Sequence, residues 1–408
     1  MKKHVTIFIL LFVVFPFWGQ EKVLFIGNSL TYFHDIPLLF KQIANSKGKH
    51  VDVHSFTQGG AGLADHIANP ALFTKINSEM WDIVIIQPGS GESGGVTAPA
   101  TQTAQLVQTI INAVKTQNPC ARIYLYEISN GVRADNNVPN YASYQTTQTL
   151  IKNTITAIAH QVQIPFIPAG EAFRAHYTQH QDLLLHPRYN DIHQNLNGAY
   201  MVACTAFGTI YQQPVFPSSF ISTIPNTRAE YLQNVADATV FGNPAEWLIG
   251  VYQPHALFSA NVQNSTVSVT NHSTHYDSLS WDFNGEFTST AAAPSYTFHS
   301  LRQKTITLTI VKNNCSYQYR QIVDITTLST QETKSSTVEI YPNPFSEKIH
   351  IRTEEKIAQI TLYDASGKKV FIENHPQNTI SVSHLPKGHY ILDILLKNGS
   401  TITKKMIK

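Results

Sequence analysis

The sequence predicts an α/β domain built on a three-layer, doubly wound parallel sheet, followed by two C-terminal all-β sandwich domains. Three observations carry that expectation. From residue 21 to about 250, short apolar runs alternate with longer helical stretches, the pattern of a parallel sheet with helices on both faces. After Pro254 the texture changes to short β-rich runs separated by turns. A Ser/Thr/Gln-rich stretch, 327–337, then precedes a last segment whose strands alternate with Pro, Gly and Asn turns. The expected organisation is a leader at 1–20, the α/β domain at 21–253, a sandwich at 254–326, the linker at 327–337 and a second sandwich at 338–408.

The elements follow in order. Lys2 and Lys3 precede an almost unbroken apolar stretch from Val5 to Trp18. A spanning helix needs roughly 20 apolar residues; this stretch is shorter and reads as a cleaved secretory signal. No other segment is apolar enough to cross a bilayer. Strands are expected at 22–26, 51–56, 82–87, 122–127 and 164–167, and helices at 36–46, 103–116, 144–161 and 196–211. A further helix, 227–239, closes the domain. Sandwich strands include 266–270 and 305–311. In a wound α/β domain, ligands bind outside the carboxyl ends of the strands. The first strand ends there in Gly27-Asn28-Ser29.

Charge and cysteine content narrow the chemistry. The formal net charge is +2 over 408 residues with no long basic run. Electrostatics therefore gives no argument for nucleic acid. Cys120, Cys204 and Cys315 form no framework, and none lies in a cluster of metal-ligand spacing. If two pair in an exported chain, the expected pair is Cys120 with Cys204, which spacing alone leaves open.

Two blocks carry the chemistry. Ser29 follows an apolar strand and heads a helix, whose backbone N–H groups favour a developing negative charge. Taken alone it is equally an ordinary helix cap. Far downstream, Asp191-Ile192-His193 places a carboxylate two residues before an imidazole, so that Asp191 holds one ring nitrogen and the other accepts a proton from Ser29. His186, five residues before Asp191, is the competing histidine; His193 is favoured because one mechanism needs both blocks.

Residues 22–211 resemble the SGNH (GDSL-like) hydrolases, through Gly27-Asn28-Ser29-Leu30-Thr31, the Gln58-Gly59-Gly60-Ala61-Gly62-Leu63 block and Asp191-Ile192-His193. The resemblance implies Ser29 as nucleophile, His193 as general base and then acid, and Asp191 as its orienter. It draws the oxyanion donors from the Ser29 N–H, a glycine N–H in the second block, and a side-chain amide in the third. Gly60 is the better glycine, with Gly59 and Gly62 open as turn residues. The third block departs from the family's Gly-x-Asn-Asp, reading Gln87-Pro88-Gly89-Ser90, and the donor role is carried to Gln87. Ser90, Glu92 and Ser93 either line the pocket or form a flexible loop; Arg133 either meets an anionic group or is a surface residue; Tyr32, Phe33 and His34 either shape the acyl site or pack.

Trp281-Asp282-Phe283-Asn284-Gly285 and the following Pro294-Ser295-Tyr296 resemble a PKD-type sandwich, here a spacer more than a binding module. Tyr341-Pro342-Asn343-Pro344, Asp364-Ala365-Ser366-Gly367-Lys368 and Leu385-Pro386-Lys387-Gly388-His389-Tyr390 resemble the C-terminal sorting domain of type IX secretion in Bacteroidota. That resemblance implies a partnership with the secretion machinery and passage across the outer membrane, to the cell surface or beyond. The expected activity is hydrolysis of short acyl esters, acetyl foremost, on a small ester or an acylated carbohydrate. It requires no metal or organic cofactor. The rivals are a catalytically weak glycan-binding surface protein and a lipase-like enzyme for longer chains.

Overall fold

The computed structural model describes residues 20–136, 138–326, 338–353, 355–365, 367–374, 376–397 and 401–408. Residues 1–19 of the expected leader and the whole expected linker, 327–337, lie outside the described residues. No described helix is long and apolar enough to cross a membrane.

The first domain is a five-stranded parallel sheet of β1 (Glu21–Gly27), β2 (Val51–Thr57), β3 (Ile83–Ile86), β4 (Arg122–Tyr126) and β5 (Phe166–Ile167), in spatial order β2-β1-β3-β4-β5. Val23–Ile26 of β1 and all of β3 are buried, as expected where helices cover both faces of a parallel sheet. The order reverses at β1: the chain steps out to β2 and returns to β3. Ligand crevices form at such a switch point, outside the carboxyl ends of the strands. Ser29 lies two residues past the end of β1, and Gln87 directly follows β3.

The covering helices are α1 (Ser29–Tyr32), α2 (Ile36–Ser46), α3 (Leu63–Ala68), α4 (Pro70–Asn77), α5 (Ser90–Ser93), α6 (Ala100–Gln117), α7 (Tyr141–Val162), α8 (Ala169–Gln179), α9 (Leu196–Tyr211) and α10 (Asn226–Gly242). Helix α9 is buried almost all round, from Gly198 to Ile210. Such a helix belongs to the interior rather than to a solvated face. Helices α3, α4, α5 and α8 form outside the helical stretches expected from the sequence.

Residues 258–325 form two facing antiparallel sheets around Trp281, Phe283, Phe298, Ile306 and Leu308. Asn313 and Asn314, both at positive φ, make the two-residue turn joining its longest strands, Arg302–Lys312 and Cys315–Ile325. This sandwich is covalently tied to the α/β domain by a disulfide between Cys120 and Cys315. The expected partner of Cys120 is thereby corrected. Cys204 is buried in the middle of α9 and remains a free thiol. Cys120 precedes β4, so the bridge stands at the amino end of the sheet, opposite the end that carries Ser29.

Residues 338–408 form a separate compact unit. Its two antiparallel sheets enclose Ile349, Ile360, Leu362, Leu392 and Ile394.

Candidate active site

Strand β1 ends at Gly27, where no side chain fits. A Cβ would stand 2.4 Å from Thr31 Oγ1 and 2.6 Å from Gln87 Oε1. The chain then turns into α1, and Asn28 caps that helix: its side-chain oxygen accepts the Leu30 N–H at 3.0 Å. The capping duty falls to Asn28, which leaves the Ser29 hydroxyl free for another partner.

That partner is His193. Its Nε2 lies 3.0 Å from Ser29 Oγ, and its Nδ1 lies 2.8 Å from Asp191 Oδ1. Because a carboxylate only accepts, Nδ1 carries the proton and Nε2 presents a lone pair to the hydroxyl. The same Asp191 oxygen accepts the His193 backbone N–H at 3.0 Å, and Arg188 Nε donates to the other oxygen at 3.2 Å. The backbone N–H of His193, then its ring, with Arg188 adding its charge, hold the Asp191 carboxyl below the ordinary carboxylate range. Ser29 and His193 are 164 residues apart. The Asp191–His193 loop reaches β1 because Gly131 lets it: a Cβ there would stand 2.3 Å from the Asp191 carbonyl oxygen. Asn190 ties the same loop to the 132–134 segment, its N–H donating to Val132 O at 2.9 Å and its side chain bonding the Ala134 backbone both ways at 3.0 Å.

His186 is elsewhere. It is buried, with Nδ1 on the Tyr177 hydroxyl at 2.7 Å and Nε2 without a partner among the described residues. Burial pushes its imidazole down to about 4.

The expected oxyanion donors divide. No acceptor among the described residues takes the backbone N–H of Ser29 or of Gly60. Gly60 sits at φ +73° with open space where a Cβ would be, so its glycine answers to backbone conformation, not crowding. Asn28 Nδ2 donates to Ala61 O at 2.9 Å, which binds this turn to the serine loop. Gln87 is turned inward. Its Oε1 accepts the Asn28 N–H at 2.9 Å and the Thr31 hydroxyl at 3.0 Å, while its Nε2 donates to Pro88 O. In this arrangement the carbonyl end of the amide braces the serine loop, and one Nε2 hydrogen is engaged by Pro88 O.

Residues the sequence left undecided are now placed. Glu92 is buried, accepting the N–H groups of Gly89 at 2.7 Å and Leu63 at 2.9 Å. It joins the second and third loops, and Ser93, fully buried, bonds Pro88 O. The flexible-loop alternative is therefore set aside for both. Ser90 and Arg133 are exposed. The Phe33 ring stacks on the His193 ring at 4.3 Å, and Tyr32 on Phe33 at 5.6 Å. Arg188 and Gly131 went unremarked in the sequence. An arginine three residues before Asp191 was the available signal for the first; the second has none without coordinates. Among the described residues no group of three His, Cys, Asp or Glu side chains is placed to hold a metal ion.

Residues 21–240 match the family model of a domain of unknown function, DUF4886, and residues 339–408 that of the secretion system C-terminal sorting domain. Among solved structures, a DUF4886 family protein from Bacteroides uniformis is 18% identical, with a TM-score of 0.43 over 55% of this chain and 96% of that one. An acetyl xylan esterase is 18% identical, with a TM-score of 0.38 over 46% of this chain and 99% of that one. The PKD1 domain of a Vibrio cholerae metalloprotease is 29% identical, with a TM-score of 0.18 over 18% of this chain and 98% of that one. No curated protein matches the sequence. The α/β domain is a parallel sheet covered by helices, and antiparallel β-sheets follow it. The sorting domain marks the protein for the type IX machinery and for export across the outer membrane, to the cell surface or beyond.

Proposed function

Starting from a chain that belongs to the DUF4886 family and carries a type IX sorting domain, we propose that it is an exported serine esterase that removes short acyl groups, acetyl foremost, from carbohydrate. The observation that carries this reading is the unbroken hydrogen-bonded series Ser29–His193–Asp191, at 3.0 and 2.8 Å.

The chemistry follows from that series. His193 Nε2 takes the Ser29 proton as Oγ attacks the ester carbonyl, and Asp191 stabilises the imidazolium that forms. The carbonyl oxygen gains negative charge, which the N–H groups of Ser29 and Gly60 receive. Collapse of the tetrahedral intermediate breaks the bond to the alcohol, and His193 returns its proton to the departing oxygen. A water molecule then attacks the acyl-serine, again giving its proton to His193, and the acid leaves as Ser29 is regenerated. Every proton is accounted for by the one imidazole, and the reaction needs no metal or organic cofactor.

The test compares the protein with Ser29→Ala on a series of aryl esters from acetate to decanoate. Turnover confined to the wild type and falling with acyl length is the expected result. Equal rates for the two proteins across the series would leave the geometry without a reaction.

A further inference from the structure

Four consecutive residues beyond the nucleophile, Tyr32 to Asp35, are exposed, and two of them are large aromatics: Tyr32 at 42% and Phe33 at 39%. Their rings extend a stack that starts on the imidazole. Phe33 lies 4.3 Å from His193 with a tilt of 23°, and Tyr32 lies 5.6 Å from Phe33 with a tilt of 28°. At its far end the Tyr32 hydroxyl reaches the second loop, 2.9 Å from where a Cβ on Gly59 would stand. The backbone presenting these rings is unusual. His34 and Asp35 both hold left-handed conformations, at φ +56° and +50°. Two successive non-glycine residues at positive φ persist only where the surroundings impose them, and such strain collects at working sites.

Chemistry tells which half of a substrate meets this surface. The imidazole that takes the serine proton must return it to the alcohol oxygen, which therefore comes within about 2.6–3.2 Å of His193 Nε2. The carbonyl oxygen instead meets the N–H groups of Ser29 and Gly60. Whatever is bonded to the alcohol oxygen lies on the imidazole's side of the serine, and the exposed ring stacked on that imidazole is Phe33, with Tyr32 beyond it.

Resting on the esterase reading, we infer that Phe33 and Tyr32 form the alcohol-side subsite, and that it takes a pyranose ring. A sugar ring has an apolar C–H face that packs on exposed aromatic surface while its hydroxyls stay in water. The Tyr32 hydroxyl and His34 flank the rings as exposed polar groups able to bond those hydroxyls. A long-chain alcohol would need enclosing walls, and an open pair of rings provides none.

The test uses two esters that share an acetyl group and differ in the alcohol: a methyl xylopyranoside acetate and glycerol triacetate. The ratio of their kcat/KM values is measured for the wild type, Tyr32→Ala, Phe33→Leu and Tyr32→Trp. Aromatic contacts of this kind are worth about three- to tenfold. The wild type should favour the pyranoside, Tyr32→Ala and Phe33→Leu should each lower the ratio by that factor, and Tyr32→Trp should keep it. A ratio that stays constant while both rates fall together overturns the subsite, as does a wild type that prefers the glycerol ester. In parallel, unacetylated xylotriose is titrated into Ser29→Ala and into Ser29→Ala with Tyr32→Ala, followed by calorimetry. Binding weakened about three- to tenfold or more by the second change supports the subsite; equal binding, or none to either protein, overturns it. A wild type that hydrolyses neither ester defeats the esterase reading itself, and the titration still decides the subsite.

Discussion

Gly131 has no chemistry of its own, yet replacing it with alanine should disable the site. The added Cβ would lie 2.3 Å from the Asp191 carbonyl oxygen, 2.8 Å from its carbonyl carbon and 3.0 Å from Ile192 Cα. All three are backbone atoms, so no rotamer relieves the clash. An ordinary carbon–oxygen contact is about 1 Å longer, and the backbone carrying Asp191 and His193 must retreat by roughly that amount. Asn190 anchors that loop to the 132–134 segment through three hydrogen bonds of 2.9–3.0 Å, so the two segments cannot simply part. Misplacing a reacting group by about 1 Å costs on the order of 10²-fold in rate. Overpacking of this size costs about 1–3 kcal/mol of stability. The assay is kcat/KM on a short-chain aryl acetate, with a thermal melt to show that the variant folds. Gly94→Ala is the control, since its Cβ would meet nothing closer than 3.6 Å at a negative φ, and it should stay within about twofold. A folded Gly131→Ala protein within threefold of wild type would refute the reasoning, because the loop could then move without consequence for turnover.

Other expectations follow from the same geometry. Ser29→Ala should lower turnover of that ester by about 10⁴-fold or more, and Asp191→Asn by about 10⁴, since an amide can no longer both accept from the ring and balance its charge; steady-state rates on melt-matched proteins check both. Arg188→Ala should cost no more than severalfold, because its side chain is 79% exposed and its attraction for Asp191 is screened by water; the kcat/KM ratio to wild type measures it. Cys120→Ser should lower stability by about 2–5 kcal/mol, the bridge closing a loop of 195 residues, yet leave ester turnover near wild type because the bridge stands at the amino end of the sheet; denaturant titration beside the same rate assay separates the two effects. His186 titrates at about 4 when folded against 6.5 ordinarily, so the stability tied to its neutral form is present above 6.5 and is lost as pH falls toward about 4. Between pH 7 and 5 the loss should be about 2 kcal/mol in denaturant titrations, and His186→Gln, which cannot titrate there, should flatten that slope.

What the sequence discloses is governed by how local the cause is. Helices α2 and α9 are legible to the residue because each carries its own start signal: Asp35 accepts the Leu38 N–H, and Asn195 accepts the Gly198 N–H. Helix α8 escapes notice because its start is stabilised from afar. The Glu127 carbonyl accepts the Gly170 N–H and its carboxylate accepts the Glu171 N–H, from 44 residues upstream of the latter. Burial, and then the neighbouring Glu171 charge, raise that carboxyl well above its ordinary range, an arrangement no window of sequence contains. The cysteine pairing fails to read for the same reason. Which thiol meets Cys120 depends on how the sandwich docks, and Cys204, nearer in sequence, is enclosed by α9's own packing. Asp191 and His193 are legible as a pair because only Ile192 separates them, whereas the glycine that admits their loop to Ser29 leaves no trace in composition or spacing.

Gln87 shows where a resemblance and a physical reading part. A family position that names an amide donor specifies a residue type, but an amide has two ends and the sequence does not say which faces the site. Here the longer side chain lets Oε1 reach two donors of the serine loop at once, the Asn28 N–H and the Thr31 hydroxyl, while Nε2 is engaged by the adjacent carbonyl of Pro88. Both donors are buried, and leaving either unpaired would cost about 1–3 kcal/mol. Keeping Oε1 on those two groups is therefore the stable arrangement. In the proposed mechanism the oxyanion is received by the N–H groups of Ser29 and Gly60, with the serine loop braced by the carbonyl end of an amide. One donor is commonly worth on the order of 10²–10³ in turnover. On the proposed mechanism, a serine loop locked by these buried hydrogen bonds holds the hydroxyl in place for attack, so Gln87→Ala should lower kcat on a short aryl acetate more than it raises KM.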